Sequence, residues 1–193
     1  MTIHKSPEFL KGLQTRVSHA ILTDPAPTKE ELEQCYYAAF RAPDHAYLRP
    51  WRFIEVRGDQ RIVLGEAMAA AMQADDPDVA EAALAKAKKG PLRAPLVIIV
   101  YAHIQEHAKV PAWEQVVATG CAAHNLVSAA YAQGLGAMWR SGHVTESNSL
   151  LAALGLRETD KVVGFLYLGT PANDDKPIQA LAIDDFVSEF NPK

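Results

Sequence analysis

The sequence predicts an α+β fold in a single domain that covers residues 1–193. Two continuous apolar runs, Leu96–Ile104 and Val162–Gly169, are typical of strands buried on both faces of a sheet. Between them, Pro111–Gln133 carries apolar or small residues nearly all round, which is typical of a buried helix, and Gly134 is placed to end it. Strands near the middle of the chain together with one long buried helix favour the α+β class.

The N-terminal part predicts two helices with recognisable starts. Ser6–Glu8 supplies an N-cap, a first-turn proline and an acidic residue, and the apolar spacing that follows predicts a helix ending near His19. Thr28–Glu31 is a capping box that opens a second helix, which Pro43 stops. The corner after Pro43 carries more polar side chains than a turn requires.

The rest of the chain alternates between strands and helices. We expect a strand at Phe53–Val56, an amphipathic helix at Asp59–Met72 and a charged, peripheral surface helix at Asp75–Gly90. Gly136–Trp139 predicts a further strand, which a loop and a helix ending near Gly155 follow. The residues from Thr170 onward predict an extended tail without periodicity. No repeat or linker divides the chain, and its length suffices for one hydrophobic core.

Composition excludes several classes of function. The formal net charge of −4, with Lys and Arg scattered, gives no basic face for a nucleic acid or an acidic membrane. Cys35 and Cys121 lie in apolar helical patterns, which favours buried free thiols in a reducing compartment. The N-terminal residues 1–13 lack the apolar segment of a signal peptide, and no run reaches the ~18 apolar residues of a membrane span. We therefore expect a cytoplasmic protein that does not enter a membrane.

Polar residues that the core pattern does not explain concentrate in four places: Arg16–Ser18, the corner Arg41–Arg52, Glu106–Gln115 and the loop Trp139–Gly142. Ordinary explanations exist for several of them. An arginine in the last turn of a helix complements the helix dipole, an aspartate after a proline caps a turn, and a single loop histidine is usually solvated. The Trp-Arg-Ser-Gly loop is more specific, because it combines a guanidinium, a hydroxyl and free backbone N–H groups ahead of a helix, as phosphate sites do.

Familiar catalytic signatures are incomplete. The chain has no G-x-G-x-x-G after a strand, no Walker A motif, no H-E-x-x-H and no G-x-S-x-G. His103 and His107 stand four residues apart, but at a predicted strand end and loop, so we predict no metal site. The pairs Ser18–His19 and Ser141–His143 lack an orienting acid. We nominate no catalytic acid, base or nucleophile.

Five stretches in fixed order carry a resemblance that covers about Thr15 to Pro171. They read RAPDHAYLRPWRF, RAPLVIIV, KVPAWEQVVATGCAAHNL, AQGLGAMWRSGHVTES and KVVGFLYLGTP. The chain resembles the FMN-dependent nitroreductase family, specifically its small YdjA-type NAD(P)H nitroreductase subgroup. The resemblance implies a nitroreductase-like fold with a central, mainly antiparallel sheet flanked by helices. It also implies an intertwined homodimer with FMN sites shared between subunits.

The same resemblance implies an activity. Two electrons would pass from NAD(P)H through bound FMN to an electron-poor acceptor such as a nitroaromatic or a quinone, in two half-reactions that use the same flavin face. Two alternatives stay open: a flavin-binding or flavin-sensing protein without turnover, and another flavin chemistry on the same fold. The sequence marks no preference between NADH and NADPH and does not name the physiological acceptor.

The resemblance further implies which residues contact the cofactors. The family's Arg-Arg-Ser triplet, which contacts the flavin, corresponds to Arg16, Val17 and Ser18, with valine in place of the second arginine. Whether that replacement weakens FMN binding depends on whether Val17 contributes only its backbone. Arg41 and His45 would reach the FMN of the partner subunit, and Arg16 or Arg41 could tune the flavin. Trp139, Arg140 and Ser141 would hold FMN on their own subunit. The implied nicotinamide-binding stretch is Ala129, Ala130, Tyr131, Ala132, Gln133 and Gly134.

Overall fold

The structure is a computed structural model that describes residues 5–175 and 177–192. The first four residues, which belong to the stretch inspected for a signal peptide, lie outside the described part. The helices are α1 Pro7–Thr15, α2 Lys29–Ala39, α3 Gln60–Asp75, α4 Glu81–Lys89, α5 Ala112–Ala132 and α6 Asn148–Ala153. The strands are β1 Leu22–Thr23, β2 Trp51–Arg57, β3 Leu96–Ala102, β4 Gly136–Arg140 and β5 Lys161–Pro171.

Strand β5 organises the sheet. It pairs with β3 along Lys161–Leu168, and β3 pairs in turn with β2, which lies at the edge. Further along, β5 also pairs with β4 and then with β1. Every pairing is antiparallel, so the predicted antiparallel sheet flanked by helices is confirmed.

Helices cover both faces of the sheet. Because side chains alternate along a strand, Leu166 and Leu168 of β5 pack into the layer of α2 and α5, while Phe165 and Tyr167 face the layer of α3 and α6. The β3 residues Leu96–Val100 are almost completely inaccessible, as the continuous apolar run predicted. This three-layer arrangement places the C-terminal end of β4 between two different helical layers.

Local sequence rules set the helix boundaries. In the capping box of α2, Thr28 Oγ1 accepts a hydrogen bond from the Glu31 amide at 3.2 Å, and Glu31 Oε2 accepts one from the Thr28 amide at 2.7 Å. Gly134 follows the end of α5 with a φ of 77°, a conformation in which glycine is not strained. Both cysteines are free, as predicted; Cys35 is fully buried, and burial raises its pKa to about 11, whereas Cys121 is half-buried.

Two predicted helices are wrong in extent. Helix α1 ends at Thr15 rather than near His19, because the chain becomes extended at Arg16 and the His19 amide bonds the Ala137 carbonyl at 3.0 Å instead. The predicted helix Asp75–Gly90 is two pieces: α3 continues to Asp75, the chain turns at Pro77, and α4 begins only at Glu81.

Helix α4 is also not peripheral, because it packs closely on α3. A Cβ at Gly65 would lie 2.2 Å from the Lys88 carbonyl oxygen, so only glycine allows this approach of the two backbones. Directly after α4, a Cβ at Gly90 would lie 3.7 Å from the Tyr167 hydroxyl of β5. Helix α5, in contrast, is less buried than predicted, since Trp113 and Val117 are exposed.

Candidate functional site

The end of β4 sends neighbouring side chains to opposite faces of the sheet. Trp139 points toward α5, where its ring approaches Gly120 and its Nε1 donates to the Val163 carbonyl at 3.3 Å. Arg140 points toward α3, and its guanidinium carbon lies 5.5 Å from the centroid of the Tyr167 ring. The structure therefore divides the predicted Trp-Arg-Ser place between two layers.

A cavity of about 430 Å³ opens at Arg140, which is within the range of small-molecule sites. Ser141 and the two residues after it line one side, and the aromatic rings of Phe165 and Tyr167 line another. Helices α3 and α4 and the segment Gly90–Arg93 close the cavity. The full lining is Met68, Met72, Ala83, Lys86, Ala87, Gly90, Arg93, Arg140, Ser141, Gly142, His143, Val144, Phe165 and Tyr167.

The charges around this cavity favour an anionic ligand. Lys86, Arg93 and Arg140 line it, and none of the described lining residues is a carboxylate. Arg140 Nε is buried and has no hydrogen-bond partner among the described residues, which costs free energy unless a ligand supplies an acceptor. Burial raises the pKa of Tyr167, although the guanidinium groups of Arg140 and Arg93 oppose the shift. The Tyr167 hydroxyl therefore stays neutral. The cavity thus offers positive charge beside a flat, uncharged aromatic wall.

Sequence reasoning missed Lys86 and Arg93, because the helix that carries Lys86 was interpreted as a solvated surface element. One feature could have identified them: a Gly-Pro pair at Gly90–Pro91 ends that helix directly before the buried strand β3.

The predicted flavin triplet Arg16–Ser18 lies beside β4. The hydrogen bond from the His19 amide to the Ala137 carbonyl fixes this segment two residues from Trp139. Arg16 Nη1 donates to the Val17 carbonyl at 3.1 Å and contacts Ser18 Oγ at 3.4 Å, and all three residues are half-buried. Val17 therefore contributes its backbone to the arrangement of the arginine. Two of the four predicted polar places come together here.

The predicted corner is backbone-strained and rigid. Ala46, Tyr47 and Arg49 all have φ between 48° and 60°, a region that costs roughly 1 kcal/mol or more for each non-glycine residue. Hydrogen bonds hold this shape: Asp44 Oδ2 accepts from the Arg49 amide at 2.7 Å, and Gln105 Nε2 donates to the Leu48 carbonyl at 2.8 Å. Arg41, the first residue of the corner and a predicted contact of the partner's FMN, is exposed.

The corner meets the N-terminal part of α5. His45 Nδ1 lies 2.8 Å from Glu114 Oε2, so the corner joins the fourth predicted place, Glu106–Gln115. The triplet is anchored at the other end of the same helix, where the Tyr131 hydroxyl contacts Thr15 Oγ1 at 3.4 Å. Glu114 and Tyr131 are about 25 Å apart along the axis of α5. Within one chain, therefore, these contacts hold the corner and the triplet at opposite ends of α5.

The predicted nicotinamide stretch lies away from the Arg140 cavity. Ala130 is fully buried, and Gln133 Nε2 donates to the carbonyls of Glu31 and Ala129, each at 3.2 Å. Tyr131, Ala132 and Gly134 line a separate cavity of about 690 Å³ between α1, the end of α5 and Asp175. None of the six residues lines the cavity at Arg140.

His103, one member of the spaced histidine pair, belongs to an ion cluster. Its Nδ1 lies 2.9 Å from Arg157 Nη2 and 3.3 Å from Asp160 Oδ1. Burial of Asp160 opposes ionisation, but hydrogen bonds from Arg157 outweigh it and hold the carboxyl pKa below its ordinary value. Within residues 5–175 and 177–192, no three His, Cys, Asp or Glu side chains are grouped to hold a metal ion. No helix in that part of the chain has the length and apolarity needed to span a membrane.

Comparison with known proteins gives concordant matches. The sequence model described as "Nitroreductase family" matches residues 13–170. A protein of Escherichia coli strain K12, named "Putative NAD(P)H nitroreductase YdjA", is 46% identical over 167 residues, which are 85% of this chain and 88% of that protein.

Solved structures share the fold along nearly the full length. A nitroreductase-like family protein from Bacillus cereus superposes with a TM-score of 0.81 at 24% identity and 98% coverage of both chains. A Desulfovibrio desulfuricans protein, described as "a putative nitroreductase in complex with fmn", gives a TM-score of 0.72 at 23% identity, covering 98% of this chain and 100% of that one.

Proposed function

The chain belongs to the nitroreductase family, and from that premise we propose that it is an FMN-dependent oxidoreductase. It takes two electrons from NAD(P)H and passes them to an electron-poor acceptor such as a nitroaromatic or a quinone. The observation that carries the proposal is the cavity at Arg140, with three cationic side chains, an aromatic wall and no carboxylate among its described lining residues.

The residues of this cavity fit FMN, which combines a flat ring, hydrogen-bonding ring edges and an anionic phosphate. Phe165 and Tyr167 offer the flat wall, and the buried Arg140 Nε, which has no partner among the described residues, offers a donor to an acceptor on the ligand. The name of the E. coli relative includes NAD(P)H, and the D. desulfuricans structure contains FMN, which supports the same cofactors here. When bound, FMN supplies the two-electron redox chemistry.

The protein's own residues orient the bound cofactor and stabilise its charge. Arg140, Lys86 and Arg93 place positive charge around the cavity, which favours a ligand that gains negative charge on reduction. Tyr167, whose pKa is raised by burial, stays a neutral hydroxyl and does not compete as an anion. Arg16, Val17 and Ser18 lie beside β4 and do not line this cavity, and Trp139 faces α5. On the family resemblance, these four residues contact the parts of FMN that extend beyond the cavity. These roles require no acid or base from the chain.

The site is shared between two copies of the chain. The corner with Arg41 and His45 lies at the opposite end of α5 from the triplet, so it cannot complete a site in its own subunit. A two-fold axis that pairs α5 antiparallel with its partner brings the corner of one copy to the triplet of the other. The exposed Trp113 and Val117 of α5 provide an apolar surface for that pairing.

Exposed apolar residues elsewhere support the dimer. Helix α1 buries none of its residues, and the tail after β5 is exposed along its described length, although both are rich in large apolar side chains. Apolar surface of this extent typically marks a protein contact. The residues are Phe9, Leu10, Leu13, Ile178, Leu181, Ile183, Phe186, Val187 and Phe190.

A visible absorption spectrum of the purified protein tests the proposal. It is recorded with added FMN and then with NADPH or NADH under anaerobic conditions, and finally with a nitroaromatic or quinone. We expect a protein-bound flavin spectrum that bleaches with a nicotinamide and returns with the acceptor. Bleaching without reduction of any acceptor would contradict the proposal that the protein is an enzyme. Absence of flavin uptake would contradict the proposal that FMN is its cofactor. Sedimentation as a monomer at full flavin occupancy would contradict the shared site.

A further inference from the structure

A hydrogen-bonded cluster joins three distant parts of the chain next to the flavin triplet. His19 Nε2 lies 2.8 Å from Asp175 Oδ1, and the Tyr131 hydroxyl donates to Asp175 Oδ2 at 3.2 Å. The same hydroxyl lies 3.4 Å from Thr15 Oγ1. We call these four residues, Thr15, His19, Tyr131 and Asp175, the Asp175 clasp. It connects the end of α1, the end of α5 and the segment that follows β5.

Two residues of the Asp175 clasp flank the triplet in the sequence. Thr15 directly precedes Arg16, and His19 directly follows Ser18. His19 is tied to the Asp175 carboxylate directly. The Thr15 hydroxyl donates to the Lys11 carbonyl at 2.9 Å and contacts the Tyr131 hydroxyl, whose single hydrogen goes to Asp175. Helix α1 has already ended at Thr15, so regular secondary structure does not fix the backbone between these two points.

Stability alone does not account for this arrangement. His19 is only 7% exposed, and its Nδ1 is buried with no hydrogen-bond partner among the described residues. The Asp175 carboxylate faces only Nε2, so Nδ1 has no partner among the described residues whichever ring nitrogen carries hydrogen. A half-satisfied buried imidazole is less stabilising than an apolar side chain of similar size. Asp175 itself is 54% exposed, so the pair is not needed to neutralise a buried carboxylate.

We propose that Asp175 is a positioning residue for the flavin site, acting through His19 and Tyr131 to hold Arg16–Ser18 in the conformation that receives the cofactor. This inference rests on the proposed function. Asp175 lies in the tail, four residues beyond the end of β5 at Pro171, so the clasp also couples the position of this part of the tail to the affinity for FMN. It gives Tyr131 a role other than contact with the nicotinamide, since its hydroxyl is directed at the clasp.

The test compares Asp175→Ala with a matched control, Asp174→Ala, which removes an adjacent exposed carboxylate. FMN is titrated into each protein after removal of bound flavin, and thermal unfolding is recorded without FMN. We expect Asp175→Ala to raise the Kd for FMN about tenfold, as the loss of a charged hydrogen bond predicts, and to lower the unfolding temperature as well, because the buried His19 Nε2 loses its partner. The control should match the wild type.

Two further variants separate positioning from general damage. Tyr131→Phe removes one hydroxyl and should weaken FMN binding in the same direction, by less. Asp175→Asn keeps an acceptor for His19 and should recover part of the affinity. Equal Kd values for Asp175→Ala and the wild type would overturn the clasp while leaving the proposed function intact, as would a lower unfolding temperature with unchanged Kd. A wild type that takes up no FMN would overturn both.

Discussion

Replacement of Arg140 by methionine should separate flavin binding from stability. Methionine keeps most of the length and the apolar stem of the side chain, and its sulfur can still contact the Tyr167 ring. The substitution removes the guanidinium that lies 5.5 Å from the centroid of that ring and lines the proposed cofactor cavity. Only the charge and the N–H donors are lost.

The structure predicts small and opposing effects on the flavin-free protein. The buried, unpartnered Nε costs about 1–3 kcal/mol, which the substitution relieves. The cation–π contact with Tyr167, worth about 0.5–2 kcal/mol, is lost at the same time. We therefore expect the free energy of unfolding to change by less than about 1 kcal/mol. Flavin binding loses a charge-assisted hydrogen bond of about 1.5–3 kcal/mol, so the Kd for FMN should rise roughly 10- to 100-fold.

Two measurements check this prediction: quenching of FMN fluorescence for the Kd, and chemical unfolding of the flavin-free protein. Lys89→Met is the matched control, since it removes an exposed cation at the end of α4 that does not line the cavity. If Arg140→Met lowered the unfolding free energy by more than about 2 kcal/mol and left the Kd unchanged, Arg140 would be a structural residue and the cavity would not be the flavin site.

Three other substitutions test the geometry. Gly164→Ala would place a Cβ 2.2 Å from Trp139 Nε1, so we expect the indole to shift, with altered tryptophan fluorescence and about 1–3 kcal/mol of lost stability in chemical unfolding. Asp160→Asn should lower the unfolding free energy at neutral pH, because Arg157 stabilises the ionised Asp160 carboxylate and lowers its pKa. The difference in unfolding free energy from the wild type should close below about pH 4, where the carboxylate becomes protonated. A difference that stays constant with pH would contradict this reasoning. Thr28→Ala removes the capping box of α2 and should cost about 1 kcal/mol; an unchanged melting temperature would show that the cap contributes nothing.

Features governed by near neighbours in the sequence were predictable. The capping box at Thr28, a buried strand beginning at Leu96 and the glycine that ends α5 depend on a few adjacent residues, and the structure confirms them, although the strand ends at Ala102 rather than Ile104. The resemblance to the family also identified Arg140 and Ser141, which line the cavity. Local patterns determine hydrogen bonds within a turn and the side of a strand that is buried, because both have a short period.

Features governed by long-range packing were not predictable. Lys86 reaches the cavity because α4 packs on α3 at Gly65. Neither the packing of the two helices nor the position of Lys86 at the cavity leaves a periodic pattern in the sequence. His19 was considered as a base without an orienting acid, yet its carboxylate partner is Asp175, which lies in the tail. An interaction between residues so far apart in the sequence depends on how the strands pair, and apolar periodicity does not encode it.

The strained corner keeps Arg41, His45 and Arg49 exposed, although His45 contacts Glu114 of its own chain. Ala46, Tyr47 and Arg49 occupy left-handed conformations that cost free energy, and hydrogen bonds from Asp44 and Gln105 hold them there. The result is a rigid loop whose Tyr47 is 83% exposed, so the strain does not serve to bury apolar surface. Because the same chain holds its predicted flavin triplet at the far end of α5, the proposed shared site requires a second copy to bring its own triplet to this loop. One subunit therefore holds the corner and the triplet apart, as the proposed shared site requires.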